Sequence, residues 1–255
     1  MGVDHYENFP VASWLCPAAI RPAVASLYRF ARYADDLADE GDAPWEERLY
    51  ALEALDDALS KAMTGQSDDL PPLLAELWPF VQSHQLDPHL LRDLLKAFCQ
   101  DVRMTASGQR MQNMTQVLDY CSRSANPIGR LMLQLMDLAQ SELLDMSDDI
   151  CTALQLINFW QDLSVDLNRG RHYLPPEVTL PEAIAMTRQM MLKGAPLAWH
   201  IPGRMGWELR AVVHGGLRTL DLIEATNVMR TRPVLTTWDW LLVAWRCLSP
   251  KPPKL

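Results

Sequence analysis

"ARYADDLADE", from Ala31 to Glu40, places four carboxylates within six positions. Like charges at helical spacing destabilise a helix by roughly 0.2–0.5 kcal/mol per close pair, so a partner that offsets the repulsion is expected. At 100° per residue, Tyr28, Arg32, Asp35 and Asp39 fall on one face of the predicted helix. Taken alone, such a face is typical of a solvated acidic surface, and a second segment is needed to decide.

That second segment is "LQLINFWQDLSVDLNRGRHY", where Asp162 and Asp166 are again four residues apart and Asn158 lies one turn earlier. The surrounding residues are almost all apolar, which predicts a buried helix whose carboxylates must be paired or bind a metal. Two such acidic pairs on inner helices would form a cage of oxygens. Oxygen-rich sites completed by a substrate phosphate suit Mg²⁺, and Arg171 would contact the same phosphate.

Composition limits the remaining possibilities. The chain has 255 residues, is 49% hydrophobic and contains only 11 glycines, which predicts one globular domain over 1–255, with residues 248–255 as a frayed tail. A net charge of −9 argues against nucleic acid as a partner. Five scattered cysteines without a CxxC pair, and a polar N-terminus, indicate a reducing, cytoplasmic location. No apolar run approaches the ~18 residues of a membrane span.

Helical periodicity dominates the rest of the chain, and no segment shows convincing strand alternation. The first predicted helix carries the opening stretch, and a bend is expected near Asn126 because a proline follows it. Gly170 is expected to end the second acidic helix. The pattern predicts an all-α protein with further helices over 45–63, 70–84, 87–104, 114–139, 148–170, 205–227 and 236–248.

The segment "TTWDWLLVAWRCL" carries an apolar stripe formed by Trp238, Leu241, Leu242, Trp245 and Leu248. One interpretation is a terminal helix docked on the bundle. The alternative is a peripheral membrane contact, with tryptophans at the interface and nearby cations facing anionic lipid. The two interpretations are compatible.

The ordered set of motifs resembles the squalene/phytoene synthase family, the head-to-head trans-isoprenyl diphosphate synthases. The first motif is "RYADDLADE" and the second is "NFWQDLSVD", followed by "RGRHYLP"; between them "YCSRSANPIGRL" begins at Tyr120. Among the branches of the family, the bacterial hydroxysqualene synthases of the hopanoid pathway are the most similar. "ENFPVAS" (7–13) and "RPVLTTWDWL" (232–241) also resemble that branch, so the similarity covers nearly the whole chain.

The resemblance implies an isoprenoid synthase fold, a helical bundle with a central cavity. It implies that presqualene diphosphate is ionised with the help of Mg²⁺, and that water captures the carbocation to give a lipid product, hydroxysqualene. The implied catalytic residues are Asp35, Asp39, Asp162, Asp166 and Tyr120; the implied metal ligands are Asp35, Asp39, Asn158, Asp162 and Asp166. The implied substrate-binding residues are Asn8, Phe9, Tyr28, Arg32, Asn158, Phe159, Arg171 and Tyr173.

Other functions remain open from the sequence. Within the family, the chain could make presqualene diphosphate or dehydrosqualene from farnesyl diphosphate; outside enzymes, it could be a non-catalytic helical protein that binds a prenyl lipid. We expect neither NADPH nor a C-terminal membrane anchor, because no dinucleotide fingerprint is present and the C-terminal segment is short. The segment between Tyr173 and Gly194 is shorter than the family pattern, as if a helix or a helix and loop had been trimmed.

Overall fold

The computed structural model of the chain describes residues 16–254. Within that range the secondary structure consists of helices joined by loops, with no β-strand. Asn8 and Phe9 lie outside the described residues. The helices in this range are α1 (Arg21–Asp39), α2 (Trp45–Met63), α3 (Pro72–Ser83), α4 (Pro88–Ser107), α5 (Met114–Ser124), α6 (Asn126–Leu135), α7 (Ser141–Gln161), α8 (Leu163–Asn168), α9 (Leu180–Gly194), α10 (Leu197–His200), α11 (Gly203–Ala225) and α12 (Thr237–Cys247).

The local chemistry of the chain explains several of the helix boundaries. Proline occupies the first turn of α1, α3 and α4, where its missing N–H would have no helical partner in any case. The side chain of Asp87 accepts a hydrogen bond from the backbone N–H of His89 and so caps α4. The bend predicted near Asn126 is confirmed, because α5 ends at Ser124 and α6 begins at Asn126.

The prediction for the second acidic helix was wrong in two respects. The helix begins at Ser141, seven residues earlier than expected, with Glu142 in its first turn. It also breaks at Asp162, whose backbone has φ −99° and ψ 13°, so that Asp166 lies on the separate short helix α8. The predicted stop is confirmed, because α8 ends two residues before Gly170, which has φ +77°.

The segment after Tyr173, which looked trimmed, retains a full helix. Thr179 and Glu182 form a capping box at the start of α9, and its buried residues Ile184 and Met191 belong to the core around α7. The shorter segment between Tyr173 and Gly194 therefore still supplies the helix that packs against α7.

Two clusters of buried side chains fill the described bundle. The first is built from α1 to α4 together with one face of α6, and includes Phe30, Leu95 and Leu131. The second surrounds α7 and takes in α9, α10 and α11, with the fully buried Trp160 among its members. A large cavity lies between the two clusters and is lined by residues of both.

Candidate active site

The cavity has a volume of about 760 Å³, within the range of small-molecule binding sites, ~300–1,000 Å³. Most of its wall is apolar, with side chains such as Leu94, Phe98, Met132, Ile157 and Val212. Its polar part brings together both acidic motifs. The sequence-predicted residues on the wall are Tyr28, Arg32, Asp35, Asp39, Tyr120, Asn158 and Asp162.

Helix α1 presents the first motif as the periodicity predicted. Asp35 and Asp39, one turn apart, both face the cavity with Tyr28 and Arg32, whereas Ala34 and Ala38 are buried in the core. Burial, and next the charge of Asp39, raise the pKa of Asp35 to about 7. Crowded carboxylates in a partly dry site are the arrangement that a bound cation relieves.

Arg32 lies beside this group and is surrounded by acids. Its guanidinium is 3.3 Å from Asp35, 2.7 Å from Asp36 and 3.2 Å from Glu40. Although burial opposes it, the charges of these acids hold the pKa of Arg32 above its ordinary value. The positive charge predicted at this position is present at the cavity wall.

Arginines from distant parts of the chain already neutralise part of the two acidic pairs. Arg171, after α8, binds Asp39 through Nη1 at 2.8 Å and Nη2 at 2.5 Å. Arg232, in the segment before α12, binds Asp162 through Nε, and through Nη2 at 3.1 Å. Each motif therefore has one carboxylate held by an arginine from a distant part of the chain. Arg171 contacts a carboxylate here and does not line the cavity.

Asp166 is half-buried beside the cavity and is not part of its lining. Burial raises the pKa of Asp166 to about 7; Arg171 opposes the shift, and the charges of Asp162 and Asp39 add to it. Electrostatic coupling thus connects Asp166 with carboxylates of both motifs, although Asp166 does not line the cavity in this structure.

Three of the predicted aromatic residues, Tyr120, Phe159 and Tyr173, form one cluster. The rings of Phe159 and Tyr173 stack with centroids 3.8 Å apart and an interplanar angle of 9°, and Tyr120 packs against both. Only Tyr120 of these three lines the cavity. Phe159 and Tyr173 are buried behind it and support its ring.

Sequence reasoning missed Asp101, which organises this aromatic cluster. The buried carboxylate of Asp101, on α4, accepts hydrogen bonds from the hydroxyls of both Tyr120 and Tyr173, the latter at 3.0 Å. Burial raises the pKa of Asp101 to about 7, with the two tyrosines opposing the shift. An aspartate on the apolar face of "LLRDLLKAFCQDV" was the only available signal.

Arg232 was also missed, although "RPVLTTWDWL" had been noted as a motif. It lines the cavity and brings a second arginine to the acidic part of the wall. Its partner, Asp162, lies 70 residues earlier, so spacing along the chain could not have revealed the pair.

The donor set fits a divalent cation that is bound together with its substrate. Among residues 16–254, no three acidic, histidine or cysteine side chains already converge as a metal cluster. However, Asp35, Asp39, Asn158 and Asp162 offer oxygens to the same cavity, and burial, followed by the charge of Asp39, raises the pKa of Asp35. Such a site suits a hard cation that takes its other ligands from phosphate and water.

Comparison with known proteins agrees with this geometry. The family of squalene and phytoene synthases matches residues 3–182. A hydroxysqualene synthase of Zymomonas mobilis is 39% identical over 71% of this chain and 58% of its own length, so the chain spans little more than half of that relative. A hydroxysqualene synthase of Rhodopseudomonas palustris is 33% identical over 95% of this chain and 88% of its own.

A solved structure shares the arrangement of helices. The squalene synthase HpnC from Alicyclobacillus acidocaldarius is 29% identical, covers 87% of this chain and 89% of its own, and superposes with a TM-score of 0.75. The predicted all-α isoprenoid synthase fold is therefore confirmed. Sequence, fold and the family match agree, and the chain belongs to the squalene/phytoene synthase family.

Proposed function

We propose that the protein is a hydroxysqualene synthase, which converts presqualene diphosphate and water to hydroxysqualene and diphosphate. The observation that carries the proposal is the composition of the cavity wall. One part of the wall gathers carboxylates, an amide and two arginines, while the rest is apolar. That division matches a substrate with a diphosphate group on a long hydrocarbon. The similarity to hydroxysqualene synthases supports the choice among such substrates.

The diphosphate would lie against the polar part of the wall. When bound there, Mg²⁺ would supply Lewis-acid stabilisation of the leaving group, held by Asp35, Asp39, Asn158, Asp162 and Asp166. Arg32 and Arg232 would donate hydrogen bonds to phosphate oxygens, as would Arg171 once it leaves Asp39. The two motifs would thus hold the charged end of the substrate.

The apolar wall would then protect the cation that remains. The C–O bond to diphosphate breaks and its electron pair leaves with the diphosphate; the rearranged carbocation forms a new C–O bond to water, whose proton is released. Tyr120 and Tyr28 would stabilise the cation with their ring faces. Asn8 and Phe9, outside the described residues, remain predicted substrate contacts. Because the proposed reaction consumes no hydride, it needs no NADPH.

Squalene formation is the second candidate, since the structural relative from Alicyclobacillus carries the name squalene synthase. Analysis of the lipid product in oxygen-18 water, with and without NADPH, separates the two. We expect a labelled C30 alcohol from presqualene diphosphate and little turnover of farnesyl diphosphate alone. Squalene that forms only with NADPH, or rapid farnesyl diphosphate condensation with no action on presqualene diphosphate, would move the chain to a sibling branch.

The metal requirement is tested in the same assay. Excess chelator should stop diphosphate release and Mg²⁺ should restore it. Asp162→Asn should abolish turnover of a folded protein. Asp57→Asn is the suitable control because Asp57 is exposed, whereas its neighbour Asp56 is bound by Arg92 at 2.7 and 2.8 Å. Full turnover in chelator would refute the metal proposal.

We also propose that residues 1–255 act as one catalytic domain, because the cavity is lined from both core clusters. The five cysteines are unpaired, which supports a reducing, cytoplasmic location. Within residues 16–254, no helix has the length and apolar character needed to cross a membrane. Since the proposed substrate and product are lipids, we place the enzyme in peripheral contact with a membrane.

A further inference from the structure

We infer that α12 and the segment before it form the surface that docks on an anionic membrane. The inference rests on the proposed function, because a lipid substrate and a lipid product give the docking its purpose. Trp238, Leu241, Trp245 and Leu248 are exposed by 80%, 56%, 70% and 68%. Their spacing of three, four and three residues places them on one side of the helix. We call these four residues the α12 face.

The opposite side of α12 fixes the orientation of this face. Val243 and Cys247 are buried, and Asp239 accepts a hydrogen bond from Nε of Arg218 on α11 at 2.7 Å. Thr236 and Asp239 also form a capping box at the start of the helix. The helix is therefore docked on the bundle, as one sequence interpretation predicted, but through the side opposite the predicted apolar stripe. The four residues of the α12 face point away from the core.

The charges around the α12 face select an anionic lipid surface as the occupant. Residues 227–254 contain five cations and a single acid, although the whole chain carries a net charge of −9. The acid is Asp239, which is buried and bound by Arg218. Exposed tryptophan and leucine beside lysine and arginine form the combination that inserts into the interface of anionic bilayers. Four of these cations are Arg230, Arg246, Lys251 and Lys254; the fifth, Arg232, is bound to Asp162 at the cavity wall and does not count toward the charge offered to lipid.

The same segment forms part of the cavity wall. Arg232 and Leu235 line the cavity, and Val234 between them is 49% exposed. Met229, just before, is 53% exposed. A membrane bound at the α12 face would thus lie next to the wall through which a lipid could exchange with the cavity.

Vesicle co-sedimentation of the full chain tests the inference. We expect binding to phosphatidylcholine vesicles that contain about one-third phosphatidylglycerol, little binding to pure phosphatidylcholine, and release in high salt. Trp238→Ala/Trp245→Ala should weaken binding by about tenfold or more. The control Trp45→Ala/Tyr50→Ala removes two exposed aromatics from α2 and should change nothing. Equal binding by both variants, or none by the wild type, would overturn the inference.

Two further measurements separate the alternatives. If sedimentation velocity shows a dimer that Trp238→Ala/Trp245→Ala dissociates, and vesicles are not bound, the α12 face joins two copies of the chain and the membrane inference is wrong. Turnover in detergent micelles is measured in parallel. Turnover without vesicle binding leaves the proposed function intact and overturns only the docking surface. Vesicle binding without turnover leaves the docking surface intact and overturns the proposed function.

Discussion

Arg171 and Asp39 form a two-point ion pair at 2.8 and 2.5 Å that joins the loop after α8 to the end of α1. Their side chains are only 12% and 25% exposed. Asp39 also raises the pKa of Asp35, one turn away on the same helix. The guanidinium of Arg171 thus offsets charge that would otherwise accumulate where both acidic motifs meet.

We predict that Arg171→Gln destabilises the metal-free protein by about 1–3 kcal/mol, because Asp39 is left half-buried without its counter-charge. Millimolar Mg²⁺ should recover part of the loss by supplying a positive charge at the same place. Urea unfolding with and without MgCl₂ measures both effects. The control is Arg103→Gln, whose ion pair with Glu53 is more than half exposed on both sides and should contribute at most about 0.5 kcal/mol. Equal losses in the two variants would contradict the prediction.

The stability of the metal-free protein should fall as pH rises from about 4 to about 7. Burial raises the pKa of Asp35, Asp101 and Asp166 to about 7, whereas aspartates in an unfolded chain ionise near ~3.9. Between pH ~3.9 and about 7 the native state binds more protons than the unfolded state. The three aspartates therefore contribute their full stabilisation below pH ~3.9, and that contribution is lost once the pH reaches about 7. Melting temperatures across this range, in chelator, measure the slope.

Two comparisons check the cause of that slope. Asp35→Asn removes one of the three titrations and should flatten the slope. Saturating Mg²⁺ should flatten it too, because a bound cation favours the ionised carboxylates. A slope that neither change affects would show that other groups determine the pH dependence.

Tyr120→Phe should reduce turnover far more than Tyr173→Phe. Both hydroxyls donate to Asp101, so each variant loses one comparable hydrogen bond, with an expected stability loss of about 0.5–1.5 kcal/mol. Only Tyr120 lines the cavity, so only its loss should be felt directly by the substrate. Steady-state kinetics with both variants at matched stability decide this, and equal effects on kcat would remove Tyr120 from the catalytic set.

The sequence predicted the fold and the polar part of the cavity for a physical reason. Helical period alone places Asp35 and Asp39 on one face, and it places Asn158 and Asp162 one turn apart on the second acidic helix. The apolar surroundings predicted that this second pair is buried, whereas Asn158 is exposed and Asp162 is half-buried at the cavity wall. Pairing between distant segments leaves no such local pattern. The break at Asp162 escaped notice because the apolar periodicity continues across it.

Residues that act through others also escaped notice. Asp101 is the one polar residue among the buried residues of α4, and its two tyrosine partners come from α5 and the loop after α8. Phe159 and Tyr173 share the aromatic character of pocket residues but stack on each other behind Tyr120. Only the tertiary structure distinguishes Tyr120, which lines the cavity, from Phe159 and Tyr173, which pack behind it.

The contact of Arg232 with Asp162 should compete with metal binding. Removing its charge by Arg232→Gln leaves Asp162 free to bind a cation, so Mg²⁺ affinity without substrate should rise roughly three- to tenfold. Turnover should nevertheless fall, because the proposed diphosphate site loses a donor with a positive charge. Arg232→Lys keeps the charge and should retain the metal affinity of the wild type. Isothermal titration with Mg²⁺ measures the affinities, and unchanged affinity in Arg232→Gln would show that the arginine and the metal do not share Asp162.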